Sequence, residues 1–164
     1  MPSVSRRQQR QWVFPYTAGI IDGEGSVGIY RHKSKSNNSP GYYGLRVTVG
    51  NTNPWLIQFL KFHFGGGVTI SRRFNPLWKD AWNWTIYEKQ AIEFLKLILP
   101  YLQLKRPQAE LAISFQSNKR QGTMNRRKGS GNKPMSNGEF AIQQAQAILM
   151  AKMNKRGKEN ESCS

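Results

Sequence analysis

An α+β domain, with helices on one face of a four-stranded antiparallel sheet, is predicted by three features of the 164-residue sequence. Four short runs alternate apolar with polar residues, and they fall into two pairs. Segments with helical apolar spacing stand before, between and after those pairs, and Gly, Pro and Asn punctuate the boundaries.

Taken in order, Val13, Phe14, Ala18, Ile20 and Ile21 suit a helix that closes at Asp22 to Glu24. Residues 26–32 read as a strand, residues 33–41 as a polar loop and residues 42–50 as the returning strand of a long hairpin. In that return strand Leu45, Val47 and Val49 alternate with Gly44, Arg46 and Thr48, so one face is apolar and the other polar. Asn53-Pro54 opens a helix with a capping side chain and a proline in the first turn. Its buried stripe is Leu56, Ile57, Phe59, Leu60 and Phe64, and Gly65-Gly66-Gly67 ends it. The second strand pair covers 68–74 and 81–87. There Val68 and Ile70 alternate with Thr69, Ser71 and Arg73, and Trp82, Trp84 and Ile86 alternate with Asn83 and Thr85. A one-residue shift after the triple glycine would expose Arg72 instead. Residues 88–99 form a helix stopped by Pro100, and Pro107 opens another whose apolar residues end at Phe115. Ser136 and Glu139 match a capping box for a last helix with Phe140, Ile142, Ala145, Leu149 and Met153 on one face and Gly157 as its stop. The aromatics Trp55, Trp82, Trp84 and Phe94 are expected in the core, His63 on a helix surface and His32 at a sheet tip.

Charge limits the partners. Lys and Arg number 25 against 9 acids, a net +16 that calls for a polyanion. Between Ser26 and Tyr87 the basic residues are Arg31, Lys33, Lys35, Arg46, Lys61, Arg72, Arg73 and Lys79, with Asp80 the one acid. Residues 118–135 add Lys119, Arg120, Arg126, Arg127, Lys128 and Lys133 among Gly, Ser and Asn, which reads as a flexible basic loop. The expected organisation is a basic arm over 1–12, a core over 13–117, the basic loop over 118–135, a C-terminal helix over 136–157 and a tail over 158–164. The basic, acid-free start suits a targeting segment, a DNA-touching arm or plain disorder. A single cysteine, Cys163, excludes an intrachain disulfide and fits an intracellular setting, and no apolar run reaches the length of a membrane span.

The segment Thr17-Ala18-Gly19-Ile20-Ile21-Asp22-Gly23-Glu24-Gly25 asks for a specific explanation. Gly19 and Gly23 share one helix face, and each glycine costs roughly 1 kcal/mol against Ala in a helix. Close packing of another backbone is the natural reason. A carboxylate at the helix C-terminus, Glu24, opposes the macrodipole unless a cation holds it.

This segment resembles the signature of the LAGLIDADG homing endonucleases. Thr17 departs at the leading leucine, Ile20 stands for the second leucine, Gly23 for the inner alanine and Glu24 for the final metal-binding acid, where Asp is commoner. Similarity runs from about Phe14 to Phe115, with echoes in Asn51-Thr52-Asn53-Pro54, Phe64-Gly65-Gly66-Gly67 and Leu104-Lys105-Arg106-Pro107-Gln108-Ala109-Glu110-Leu111. The motif occurs once, so the resemblance implies a saddle-shaped homodimer joined through Ala18, Gly19, Asp22 and Gly23 across a two-fold axis.

It further implies a site-specific double-strand DNA endonuclease that cuts a long near-palindromic target and leaves short 3′ overhangs. Glu24 would hold Mg²⁺ with the Gly23 carbonyl assisting; Mn²⁺ or Ca²⁺ also suit the site. Lys105 would support the transition state and Asn51 would hold water. Asp22 would point away from Glu24 and serve as a cap or structural contact. Antiparallel ribbons fit the major groove, which makes Tyr30, His32, Arg46, Thr48, Thr69, Ser71, Arg73, Asn83 and Thr85 candidates for bases, with Arg72 as the shifted alternative and Gly28 allowing close approach. Lys33, Lys35, Lys79, Lys119, Arg120, Arg126, Arg127 and Lys128 suit phosphates. The expected setting is intracellular, on genomic or organellar DNA, and cytoplasmic in a prokaryote. The alternatives are a maturase that binds group I intron RNA and a non-catalytic DNA-binding regulator on the same scaffold.

Overall fold

The computed structural model describes residues 9–33, 41–72, 77, 79–124 and 136–155. A π turn at Gln9–Val13 runs straight into α1 (Phe14–Glu24), so helical backbone starts inside the stretch expected as an arm. Then come β1 (Gly25–His32), β2 (Tyr42–Asn51), α2 (Pro54–Phe64), β3 (Gly67–Ser71), β4 (Ala81–Tyr87), α3 (Glu88–Ile98), a 3₁₀ turn (Leu99–Tyr101), α4 (Arg106–Met124) and α5 (Asn137–Met153). The strands form one antiparallel sheet in the order β1-β2-β4-β3, two hairpins joined through their inner strands. This is the expected α+β architecture.

Side chains sort by strand parity. Val27, Ile29, Leu45, Val47, Val49, Trp84 and Ile86 point to the helices and are buried. The register sets Val27 against Val47 and Val49 against Trp84, so the apolar set is continuous across three strands. Ala91, Ile92, Phe94, Leu95 and Ile98 of α3 and Ala109, Ala112 and Phe115 of α4 complete this core. Trp84 is fully buried, and its indole N–H donates to Gly65 O at 2.7 Å, which satisfies the one polar atom it takes inside. Asn53 caps α2 by accepting from Trp55 N at 3.0 Å, and Gly65 and Gly66 leave that helix at φ of 69° and 88°. No one-residue shift occurs in β3: Thr69 pairs with Asn83 and Ser71 with Ala81 on the polar side.

Several expectations are corrected. The helix from Arg106 passes Phe115 and continues to Met124, into the stretch expected as a loop. Its apolar period stops because the residues after Phe115 are mostly polar, and the helix is tied back where Lys119 Nζ donates to Tyr43 O at 3.0 Å and to the Glu88 carboxylate at 3.0 Å. Residues 125–135, with Arg126, Arg127, Lys128 and Lys133, lie outside the described residues. The last helix opens with the expected capping box but ends at Met153, and its buried residues are Gln143, Ala147 and Met150 rather than Ile142, Ala145 and Leu149. Phe140 does pack inward, 5.5 Å from the Tyr43 ring, and small Ala147 lets the helix settle on β1 and α4. The expected stop at Gly157 is outside the described residues. Trp55 is 60% exposed and stacks on Phe59 rather than entering the core, while Trp82 is partly buried.

His63 is corrected too. Instead of lying on a plain surface it packs among the rings of Trp12, Phe59, Phe62 and Phe64. Burial there disfavours the imidazolium and pulls its pKa below the ordinary 6.5. Below that value the unfolded chain takes up the proton first, so the stabilising contribution is present above 6.5 and is lost as pH falls through the lower folded value. Melting temperatures measured from about pH 7 to about pH 5 are expected to drop more for the wild type than for His63→Phe; equal drops would contradict the assignment.

Candidate active site and nucleic-acid interface

Helix α1 carries two unlike faces. At 100° per residue, Thr17, Ala18, Ile20 and Ile21 turn inward and are buried, while Tyr16, Gly19 and Gly23 line up on the opposite face and are exposed, as is Trp12 in the preceding π turn. Among the described residues a Cβ on Gly19 or Gly23 would meet nothing within 4 Å, so no described residue fills the notch between them. Ala18 is fully buried in its own core, which removes it from the expected contact set.

Asp22 is likewise committed inside the chain. One carboxylate oxygen accepts from Gln103 N at 2.8 Å and the other from Lys105 N at 2.8 Å. Lys105 reciprocates, its Nζ donating to Asp22 O at 2.6 Å. This exchange staples the turn before α4 to the foot of α1 and sets an ammonium against the negative end of that helix. Glu24 follows, exposed, and Gly25 turns the chain into β1. Its N–H donates to Ile20 O and Ile21 O, and a Cβ there would come within 2.8 Å of the Ile21 backbone.

Glu24 and Lys105 share a polar cleft of about 350 Å³, also lined by Gly25, Ser26, Gln108, Met153, Asn154 and Lys155. The last three arrive from the end of α5, which Asn154 fixes by donating to Val27 O at 2.8 Å. Gln108 follows Lys105 by three residues, and its carbonyl oxygen is enclosed with no partner among the described residues. Sequence reasoning left Gln108, Ser26, Asn154 and Lys155 unassigned. Helical spacing from Lys105 signals Gln108, whereas nothing local signals the α5 end. Asn51 does not line the cleft; its side-chain oxygen accepts from Asn53 N at 2.8 Å and shapes the turn into α2.

Among the described residues no three His, Cys, Asp or Glu side chains gather as a metal site. Among the described residues that line the cleft, the one carboxylate is the exposed Glu24. That donor set suits a hard cation such as Mg²⁺, which takes one or two carboxylates and completes its shell with water and phosphate oxygens.

The sheet face away from the helices gathers the expected base-facing residues. Tyr30 and His32 on β1, Arg46 and Thr48 on β2, Asn83 and Thr85 on β4, and Thr69 and Ser71 on β3 share it by register. Thr48 and Thr85 hydroxyls are 3.2 Å apart, and Asn83 Nδ2 donates to Ser71 Oγ at 3.1 Å. Tyr42 and Tyr87, both about half exposed, belong to the same face and were left unassigned by sequence reasoning. His32 stacks on Tyr42 with centroids 4.7 Å apart. Ser26 belongs both to this face and to the cleft, so the two are continuous. Two expectations change. Gly28 is covered by the Tyr30 ring rather than open, and Lys119 spends its ammonium on Glu88 and Tyr43 rather than standing ready for phosphate. Lys33, Arg72 and Lys79 are exposed at strand ends and loops; Lys35 and Arg73 lie outside the described residues, as does the Arg120 side chain.

With this geometry in view, the architecture is that of the LAGLIDADG homing endonucleases. No family model and no curated protein matches the chain by sequence. Solved structures are similar to it in fold. The homing endonuclease I-CvuI in complex with the I-CreI target is 19% identical over 92% of this chain and 87% of that one, with a TM-score of 0.69. An archaeal intron-encoded homing endonuclease complexed with DNA, I-Vdi141I, is 14% identical over 92% and 89%, also at 0.69. The LAGLIDADG homing endonuclease I-LtrWI, bound to target DNA, is 17% identical over 92% of this chain but 47% of its own, at 0.66.

Asp22→Ala removes the acceptor of two backbone N–H groups and is expected to cost about 1–3 kcal/mol in urea unfolding. An unchanged midpoint would show that the staple carries no stability.

Proposed function

We propose that the protein is a site-specific, divalent-metal-dependent double-strand DNA endonuclease that works as a homodimer. One observation carries this reading: an exposed acid, Glu24, stands beside Lys105 in a cleft continuous with the polar face of the sheet, at the foot of a helix whose opposite side is a glycine notch that no described residue fills. The fold supports it, as do neighbours that were solved on DNA. Matching nearly all of the shorter neighbours and about half of a longer one supports one copy being half of the working unit.

The contact set is revised from the sequence expectation. Gly19 and Gly23 meet their counterparts, flanked by Tyr16 and Trp12, whereas Ala18 and Asp22 serve the chain's own interior. Two-fold symmetry then sets one Glu24 beside the other and spreads two sheets over about two helical turns of duplex, so the target is near-palindromic. Glu24, with the Gly23 carbonyl, holds the metal. When bound, the ion supplies charge neutralisation at the phosphate and a more acidic water. Lys105, fixed on Asp22 O, keeps its positive charge at the edge of the same cleft, and the enclosed Gln108 oxygen accepts from a donor entering it. Cutting both strands across the minor groove leaves short 3′ overhangs. Lys33, Arg72 and Lys79 meet phosphates, which makes affinity salt-dependent. An intracellular setting on genomic or organellar DNA follows from the substrate.

The test is selection of cleavable duplexes from a randomised library, with and without Mg²⁺. Wild type is expected to cut a near-palindromic site in Mg²⁺ alone, and Glu24→Gln to bind that site with cleavage abolished. A fully active Glu24→Gln would remove Glu24 as the metal ligand. Failure to cut, combined with tight binding to folded intron RNA, would replace this reading with a maturase.

A further inference from the structure

At the centre of the polar face, Arg46 on β2 lies opposite Gly28 on β1, with Gly44 two residues before it on its own strand. The Arg46 guanidinium sits 3.9 Å from the centroid of the Tyr30 ring. That ring lies over Gly28, where a Cβ would come within 2.4 Å of its carbons. Any larger residue at 28 would displace the ring, and the ring is what the guanidinium rests on. Among the described residues Arg46 makes no ion pair, and its enclosed Nε finds no acceptor. A flexible cation has thus been settled on an aromatic face without any anion to hold it. Such a contact removes rotamer freedom before a ligand arrives.

We infer that Arg46 reads one guanine in each half-site, and that Tyr30 is the positioning residue that holds the guanidinium for it; this rests on the DNA endonuclease reading above. Nε is enclosed against the sheet, so the two terminal amino groups are the donors left to a ligand. They form a planar fork that matches guanine O6 and N7, the pair of acceptors that only a G·C pair presents in the major groove. Position argues against phosphate. Arg46 stands on an inner strand between glycine sites, on the floor of the surface, whereas the exposed Lys33, Arg72 and Lys79 occupy strand ends and loops. Gly28 becomes part of the same device, because its missing side chain is the seat of the Tyr30 ring.

The experiment is selection of bound sequences from duplex DNA randomised over about two helical turns, using the full chain and four variants. Wild type is expected to enrich guanine at one position per half-site. Arg46→Ala should lose roughly 5- to 150-fold of discrimination there and leave the other positions as they were. Tyr30→Phe should keep the preference, while Tyr30→Leu and Gly28→Ala should weaken it at that same position. A merely structural Tyr30 would lower binding at every position together and shift the melting curve in step. If Arg46→Ala binds all sequences more weakly with base preferences unchanged, Arg46 is a phosphate contact and the assignment is overturned. Guanine preference that survives Tyr30→Leu overturns the part given to Tyr30. A wild-type protein that binds no duplex at all removes the endonuclease reading, and this assignment with it; selective binding without an Arg46-dependent guanine leaves that reading standing and removes only this one.

Discussion

Two backbone N–H groups, those of Gln103 and Lys105, end on the two carboxylate oxygens of Asp22, and the Lys105 ammonium returns to the Asp22 carbonyl. These contacts join parts of the chain about eighty residues apart at the point where α1 stops. Together with the burial of Leu102 in the core, they hold the turn before α4 against the foot of α1, where Lys105 and Gln108 line one cleft with Glu24. The staple also answers an electrostatic problem. A helix whose last turn holds two acids and no base is unfavourable by itself, and the cation that relieves it comes from a distant segment.

The sheet adds a second constraint. A period of two gives each strand an apolar face for the helices and a polar face that no helix among the described residues covers. The polar face is not idle at rest, because its groups pair with each other: Thr48 with Thr85, Asn83 with Ser71, His32 on Tyr42, Arg46 on Tyr30. Side chains arranged in this way are ordered before they meet a ligand, and a binding surface with less left to order binds with less entropic loss. Ser26 links this face to the cleft, so the polar side chains of the sheet and the Glu24 and Lys105 side chains belong to one surface.

Much of this was legible in the sequence where local rules act alone. Strand alternation placed eight of the base-facing candidates on one face by register, and the Asn53 cap, the glycine exit from α2 and the Ser136–Glu139 box all sit where their residue types demand. Local rules failed where packing decided. Apolar periodicity is blind to a helical stretch made mostly of polar residues, so the continuation of α4 to Met124 was missed. In α5 two stripes competed, and Gln143, Ala147 and Met150 are buried in place of the stripe with more apolar residues, which local periodicity does not reveal. Trp55 breaks the rule that tryptophan means core, since it stands 60% exposed and stacks on Phe59. Asp22 was read as a cap or structural contact, yet no local pattern reveals that its partners are Gln103 and Lys105.

The central claim is that two copies meet through the Gly19–Gly23 face and bring two Glu24 side chains into one cleft. Its most direct measurement is cross-linking between copies on DNA, with the native thiol removed as Cys163→Ser and a single cysteine installed as Glu24→Cys. A short bifunctional thiol reagent is expected to give a covalent dimer in high yield on the selected target, and no dimer when Trp replaces Gly19. A complex that remains monomeric on DNA, or a dimer whose thiols are too far apart for the reagent, would contradict the claim.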